Sequence, residues 1–209
     1  MLYSASQNIG FVHYPKTAGH SVASWFKRSF PDAIYLDPPT EHKVSHLGVK
    51  PSLSLLGARN AEILPTLSII GVMREPVSMM SALYKYWKAY KFAKADKELP
   101  LLIQCARTKT FVEFVNEALD TPNIETYESF FDFKGPAWPK TRIVPYESLE
   151  TCLSQVIKNI GLAHNTTLER LNVGPVSHGL VCNIPKETID KVHGYFSWYY
   201  KIGKNAMAY

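Results

Sequence analysis

The chain has 209 residues, 46% of them hydrophobic, which suits one domain spanning residues 1–209 with a sizeable core and excludes a disordered chain. A formal net charge of +5, spread along the sequence, fits a small anionic ligand and argues against nucleic acid as a partner. No stretch reaches the roughly 18 apolar residues of a membrane span, and Cys105, Cys152 and Cys182 form neither a CxxC pair nor a disulfide framework.

The first informative segment is Phe11-Val12-His13-Tyr14 followed by Pro15-Lys16-Thr17-Ala18-Gly19-His20-Ser21. Apolar residues predict a buried strand, a small-residue turn follows, and Val22 to Phe30 predicts a helix. A strand that turns tightly into a helix leaves the helix's first N–H groups without intrahelical partners, with the helix dipole behind them, and so favours a bound anion. Lys16 adds a point charge there, and Thr17 and Ser21 add hydroxyls. His13 lies inside the apolar strand and reads as packed beside the site rather than reactive.

Ala33 to Leu36 predicts a short strand closed by Asp37-Pro38-Pro39, and the stretch Thr40 to Leu47 carries Glu41, His42 and His46. Leu67 to Met73 predicts a second buried strand, followed by Arg74-Glu75-Pro76 and a helix from Val77 to about Lys91. Lys85, Lys88, Lys91, Lys94 and Lys97 recur every three residues there; a step of three drifts around a helix, so they predict a solvated surface rather than one narrow stripe.

Thr110 and Glu113 have capping-box spacing ahead of an apolar face made by Phe111, Phe114, Val115 and Ala118. Gly135-Pro136 and Trp138-Pro139 mark a loop, and Arg142 onward predicts a late strand. A helix face at Leu149, Leu153, Val156, Ile157 and Ile160 ends at Gly161, and Ile189, Val192, Phe196 and Tyr199 make another. Strands alternating with helices predict an α/β fold: a mostly parallel central sheet covered by helices on both faces, with ligands at the C-terminal ends of the strands.

A nucleotide-triphosphate P-loop requires a glycine directly before its lysine, and Pro15 stands there. Proline has no N–H to offer and fixes its φ, so the turn is P-loop-like but shorter. Pro15 to Ser21 instead resembles the P-K-T-[GA]-G-T-S loop of sulfotransferases that use 3′-phosphoadenosine 5′-phosphosulfate (PAPS). Arg74-Glu75-Pro76-Val77 resembles that family's R-[DE]-P-V motif, Arg142 to Leu149 its late strand ending in Tyr-Glu, Leu168 to Val173 a Leu-Pro-x-x-Asn segment, and Tyr195 to Tyr200 its terminal helix.

The resemblance implies a sulfotransferase fold and transfer of a sulfuryl group from PAPS to an acceptor hydroxyl, a carbohydrate among the candidates. It implies that Pro15, Lys16, Thr17, Ala18, Gly19, His20 and Ser21 grip the 5′-phosphosulfate and that Arg74 takes the 3′-phosphate, where a planar fork suits the ligand. The family's helix serine falls at Ala82 here, leaving Ser81 and Ser78 as substitutes, and His20 stands where threonine is usual. Ser45-His46-Leu47 resembles the element carrying the family's catalytic histidine, which makes His46 the first choice of base, with His42 and Glu41 behind it. No metal-ligand spacing is visible, and with no apolar anchor a cytoplasmic protein is expected. An ATP-dependent kinase and a non-catalytic nucleotide- or glycan-binding protein of the same fold are the alternatives.

Overall fold

The computed structural model describes residues 1–36, 46–57, 61–89, 99–121, 124–131, 140–159, 161, 167–171 and 183–202. In chain order its elements are β1 (Leu2–Ser4), β2 (Ile9–Val12), α1 (Gly19–Ser29), β3 (Ile34–Tyr35), α2 (Val49–Gly57), β4 (Ser68–Met73) and α3 (Pro76–Ala89). There follow α4 (Leu101–Thr108), α5 (Phe111–Asp120), α6 (Tyr127–Phe131), β5 (Lys140–Pro145), α7 (Leu149–Asn159), α8 (Lys186–Tyr195) and α9 (Ser197–Ile202).

The five strands form one sheet in the order β3-β1-β2-β4-β5. β2 pairs parallel with β4, and β4 with β5, whereas β1 pairs antiparallel with both β2 and β3. The expectation of a mostly parallel sheet is therefore corrected: the sheet is mixed. The reason is the N-terminal hairpin, whose turn places Asn8 in the left-handed region at φ 47°. Its side chain is anchored by bonds from Nδ2 to the Ile63 carbonyl (3.1 Å) and to Thr66 Oγ1 (2.7 Å). A three-residue strand is too short to announce itself by alternation, so β1 left no pattern to read.

Side chains alternate across the sheet, as the strand repeat requires. Ile9, Phe11, Ile70, Val72 and Val144 pack with Val22, Phe26, Leu149 and Leu153, which places α1 and α7 on one face. Val12, Ile69, Met73 and Ile143 pack with residues of α2 to α6 and with Val192 of α8 on the other. β4 is buried on both sides, which is why it reads as a continuous apolar run.

The predicted helices recur with shifted ends. Thr110 and Glu113 close the expected capping box, with Thr110 N–H donating to Glu113 Oε2 at 2.8 Å. The single face predicted over Ile189 to Tyr199 is broken at Phe196 into α8 and α9, while Val192 and Phe196 still enter the core. Phe196 leaves helical geometry at φ −101°, ψ 31°.

Two features of the second face set up the functional end of the sheet. A Cβ on Gly71 would lie 2.4 Å from Phe131 Cε1, so the bare backbone at the middle of β4 lets α6 come down onto the sheet. That brings Tyr127 under the end of β4, where its fully buried hydroxyl donates to the Arg74 carbonyl (2.8 Å) and accepts from the Arg74 N–H (3.3 Å). Tyr127→Phe removes both bonds and leaves a buried carbonyl without its donor, so it should lower the unfolding free energy by about 1–3 kcal/mol in urea titrations. A loss below about 0.5 kcal/mol would show that the Arg74 main chain is held by something else.

Candidate anion site at the ends of the parallel strands

β2 and β4 run side by side, with Val12 opposite Gly71, so the turns that follow them are neighbours. Each leads into a helix, and the two helix starts differ in charge. At α3, Glu75 caps its own helix: Oε1 accepts from Val77 N–H (3.0 Å) and Oε2 from Ser78 N–H (2.7 Å), while Tyr200 donates to Oε1 at 3.0 Å. At α1 no side chain caps the first turn and no acid lies in it. Positive potential at the α1 start is left for a ligand to meet.

The turn into α1 has a backbone that ordinary residues avoid. Lys16 and Ala18 both sit at φ 62°. Each such left-handed residue costs on the order of 1 kcal/mol or more, so the surroundings must hold the turn closed. Thr17 does so from between them: it is completely buried and its hydroxyl donates to the Tyr14 carbonyl at 2.8 Å. Left-handed residues in such a turn let successive N–H groups gather on one concave side, which is how backbone nests take anions.

Gly19 has a steric reason. A Cβ there would lie 1.7 Å from the His13 ring, which is buried directly against it. His13 is thus a wedge between strand and helix, as its apolar setting implied. Its Nδ1 is buried with no hydrogen-bond partner among the described residues, and burial drives its pKa well below the ordinary value, so it is neutral.

The expected ligands divide into those the structure gathers and those it employs otherwise. Lys16 and Arg74 come together: Arg74 Nη1 donates to the Lys16 carbonyl at 3.4 Å. Arg74 Nε donates to Ser78 Oγ at 2.9 Å, and the guanidinium lies over the Tyr146 ring with Cζ 4.4 Å from its centroid. The competing role for Arg74, an ion pair with Glu75 or another acid, is absent among the described residues. Ser78 therefore aims Arg74, leaving three of its five N–H donors for a ligand. The Lys16 ammonium lies 4.1 Å from the Tyr86 centroid, and desolvation, followed by the charge of Arg74, lowers its pKa.

Pro15 and Ala18 are half-buried in the turn, and Ala18 serves as the left-handed residue ahead of α1. Thr17 spends its hydroxyl inside the turn. Ser21 Oγ accepts from Leu171 N–H at 2.9 Å, so it straps residues 167–171 onto α1 together with Arg28, which donates to the Thr167 carbonyl at 3.1 Å. Ser81 is buried and makes no bond to Arg74. His42 and Glu41 lie outside the described residues, as do Lys91, Lys94 and Lys97. Of the lysine series, Lys85 senses Arg74, and Lys88 donates to Tyr84 Oη at 2.8 Å.

His46 is brought to the site from a distant stretch of chain. Its Nδ1 is 3.1 Å from the His13 carbonyl and its ring centroid 4.5 Å from that of His13. A carbonyl only accepts, so Nδ1 carries the proton and the neutral ring keeps the lone pair of Nε2 for another partner. Desolvation lowers the His46 pKa, the bond to His13 opposes this, and nearby His20 and Lys16 add to the lowering.

Tyr86, Tyr127 and Tyr146 escaped the reading of the sequence as site residues. Tyr146 lay in a recognisable Tyr-Glu pair, but nothing local reveals that its ring meets an arginine seventy-two residues earlier.

Fold and site together define an α/β protein with an uncapped, doubly cationic strand–turn–helix at adjoining parallel strand ends. No family model, curated protein or solved structure matches this chain. Among the described residues, no helix is long and apolar enough to cross a membrane.

The dependence on Gly19 is open to test. Gly19→Ala forces the His13 ring away, and the overpacking should cost about 1–3 kcal/mol of stability in urea unfolding. The His46 tether should loosen with it, shifting the His46 ring resonances in two-dimensional NMR. An alanine variant of wild-type stability with unmoved resonances would contradict the wedge.

Proposed function

We propose that this chain is a PAPS-dependent sulfotransferase that transfers a sulfuryl group to an acceptor hydroxyl, with a carbohydrate as one candidate acceptor. The observation that carries the reading is the meeting of Lys16 and Arg74 across two parallel strand ends, beside an uncapped helix start, with neither in an ion pair with a described carboxylate. Two positive charges held together without an ion-paired acid are most stable at the edge of water or with an anion between them.

PAPS, when bound, supplies the activated sulfuryl group and departs as adenosine 3′,5′-bisphosphate. The residues present fit its two anionic ends. Arg74 would hold the 3′-phosphate with the donors left free by Ser78, and Tyr146 would keep the guanidinium plane from turning. The turn N–H groups from Lys16 to Ser21 would face the 5′ side. Lys16 would meet the charge that grows on the 5′-phosphate as its oxygen takes the electron pair of the breaking S–O bond. The acceptor oxygen forms the new S–O bond and loses its proton to His46 Nε2, the atom that the His13 carbonyl leaves available. Positioning and charge stabilisation therefore carry the rate, as in phosphoryl transfer.

Turnover with purified protein, PAPS and an acceptor library, read as sulfated product by mass spectrometry, tests the reading. Lys16→Ala and His46→Asn should each lower turnover at saturating PAPS by roughly 10²-fold or more. Since the His46 pKa is lowered, its neutral form dominates above that value; the wild-type rate should rise with pH and level off with a midpoint below about 6.5. Bisphosphate binding with no sulfated product from any acceptor would favour a binding protein, and a full-strength His46→Asn enzyme would remove His46 as base.

A further inference from the structure

α9 follows α8 after the break at Phe196, and its adjacent Tyr199 and Tyr200 leave the helix about 100° apart. They therefore meet different parts of the structure. The Tyr199 ring lies 6.0 Å between centroids from Tyr127, and Phe196 packs on the same ring at 5.3 Å. Tyr127 in turn holds the main chain of Arg74 through its hydroxyl. Tyr200 takes the other direction: its hydroxyl donates to Glu75 Oε1 at 3.0 Å, across 125 residues of sequence.

Glu75 links Tyr200 to the Arg74 side chain. Its Oε1 accepts from Val77 N–H (3.0 Å) and its Oε2 from Ser78 N–H (2.7 Å), and Ser78 Oγ then accepts from Arg74 Nε at 2.9 Å. The two N–H bonds lie within the first turn of α3, so they tie the carboxylate only to its own helix. Two other elements reach this residue. Glu147 takes the Glu75 main-chain N–H at 3.0 Å, and Tyr200 takes the carboxylate. Burial, then the charge of Glu75, push the Tyr200 pKa far above its ordinary value, so the hydroxyl keeps its proton and donates. Its ring is packed as well, with centroids 4.5 Å from His193 and 5.0 Å from Tyr199. An acid next in sequence to Arg74 would neutralise the guanidinium if it turned toward it. Three donors hold this one on the α3 cap instead.

Resting on the reading above, we propose that Tyr200 is a positioning residue for Arg74: by holding the Glu75 carboxylate on the start of α3, it keeps Ser78 bonded to Arg74 Nε and the neighbouring acid off the guanidinium, and so sets the site's preference for a 3′-phosphorylated nucleotide. Tyr200 acts through Glu75 and Ser78 and meets no part of the ligand itself. Loss of its hydroxyl loosens the aim of Arg74 and leaves the Lys16 turn as it was.

Calorimetry of Tyr200→Phe with adenosine 3′,5′-bisphosphate and with the 5′-monophosphate tests this, since the ring stays and only the hydroxyl goes. The preference for the bisphosphate should fall about 3- to 10-fold, with monophosphate affinity close to that of wild type. In a Ser78→Ala background, where the last link is already cut, Tyr200→Phe should lower the preference by less than about 2-fold. Tyr195→Phe separates positioning from stability: that hydroxyl, at the end of α8, donates to the Ile124 carbonyl, so its loss should cost stability and leave the preference unchanged. Without ligand, the Arg74 Nε–H resonance, assigned by its loss in Arg74→Lys, should move in Tyr200→Phe and stay in place in Tyr195→Phe. A wild-type preference or an unmoved Arg74 resonance in Tyr200→Phe, an equal fall in Tyr195→Phe, or full additivity with Ser78→Ala overturns the proposal while leaving the bisphosphate site standing. A wild-type protein with no preference for the bisphosphate overturns that reading, and this inference with it.

Discussion

The parallel pairing of β2 with β4 is the constraint on which the rest of this structure depends. It sets Val12 beside Gly71, and so delivers Lys16 and Arg74, fifty-eight residues apart in sequence, to one place. Neither charge would be stable there in a closed interior, since desolvating two like charges is costly and no ion pair among the described residues offsets it. The surroundings hold them by other means. Tyr127 fixes the Arg74 main chain, Ser78 and Tyr146 fix its guanidinium, and Tyr86 lies against the lysine. Four side chains thus steady two cations that form no ion pair with a described acid, as the proposed anion site requires.

Strain and packing at the first turn serve the same end. Two left-handed residues are held closed by a buried threonine hydroxyl and by a histidine wedged onto a glycine. The wedge also sends its carbonyl to His46, so one buried residue sets both the turn and the orientation of the candidate base. The two helix starts divide the labour. α3 is closed by Glu75 and uses side chains, whereas α1 is open and offers its backbone.

Much of this was legible in the sequence because the relevant signals are local. The apolar runs of β2 and β4, the Pro15 to Ser21 turn, the proline at the start of α3 and the Thr110 capping box each act through neighbours a few residues away. What was not legible acts through space. The short antiparallel β1 is specified by its partners and by the Asn8 anchor, which made the sheet mixed instead of mostly parallel. The hydroxyls of Thr17 and Ser21 looked like ligands by position, yet the first is bonded inside the turn and the second to a segment 150 residues on. The rings over Lys16 and Arg74 could not be read at all, since a cation over an aromatic face has no sequence spacing.

The central claim is that Arg74 and the Lys16 turn are two ends of one bisphosphate site. Calorimetry of wild type, Arg74→Ala and Arg74→Lys with adenosine 3′,5′-bisphosphate and with the 5′-monophosphate tests it most directly. A charge-assisted pair on the 3′-phosphate predicts that Arg74→Ala weakens bisphosphate binding by about 30-fold or more, equivalent to roughly 2 kcal/mol, while monophosphate binding changes little. Arg74→Lys should recover only part of the loss, because an ammonium lacks the fork. Equal losses for both ligands would contradict the account, placing Arg74 away from the 3′-phosphate.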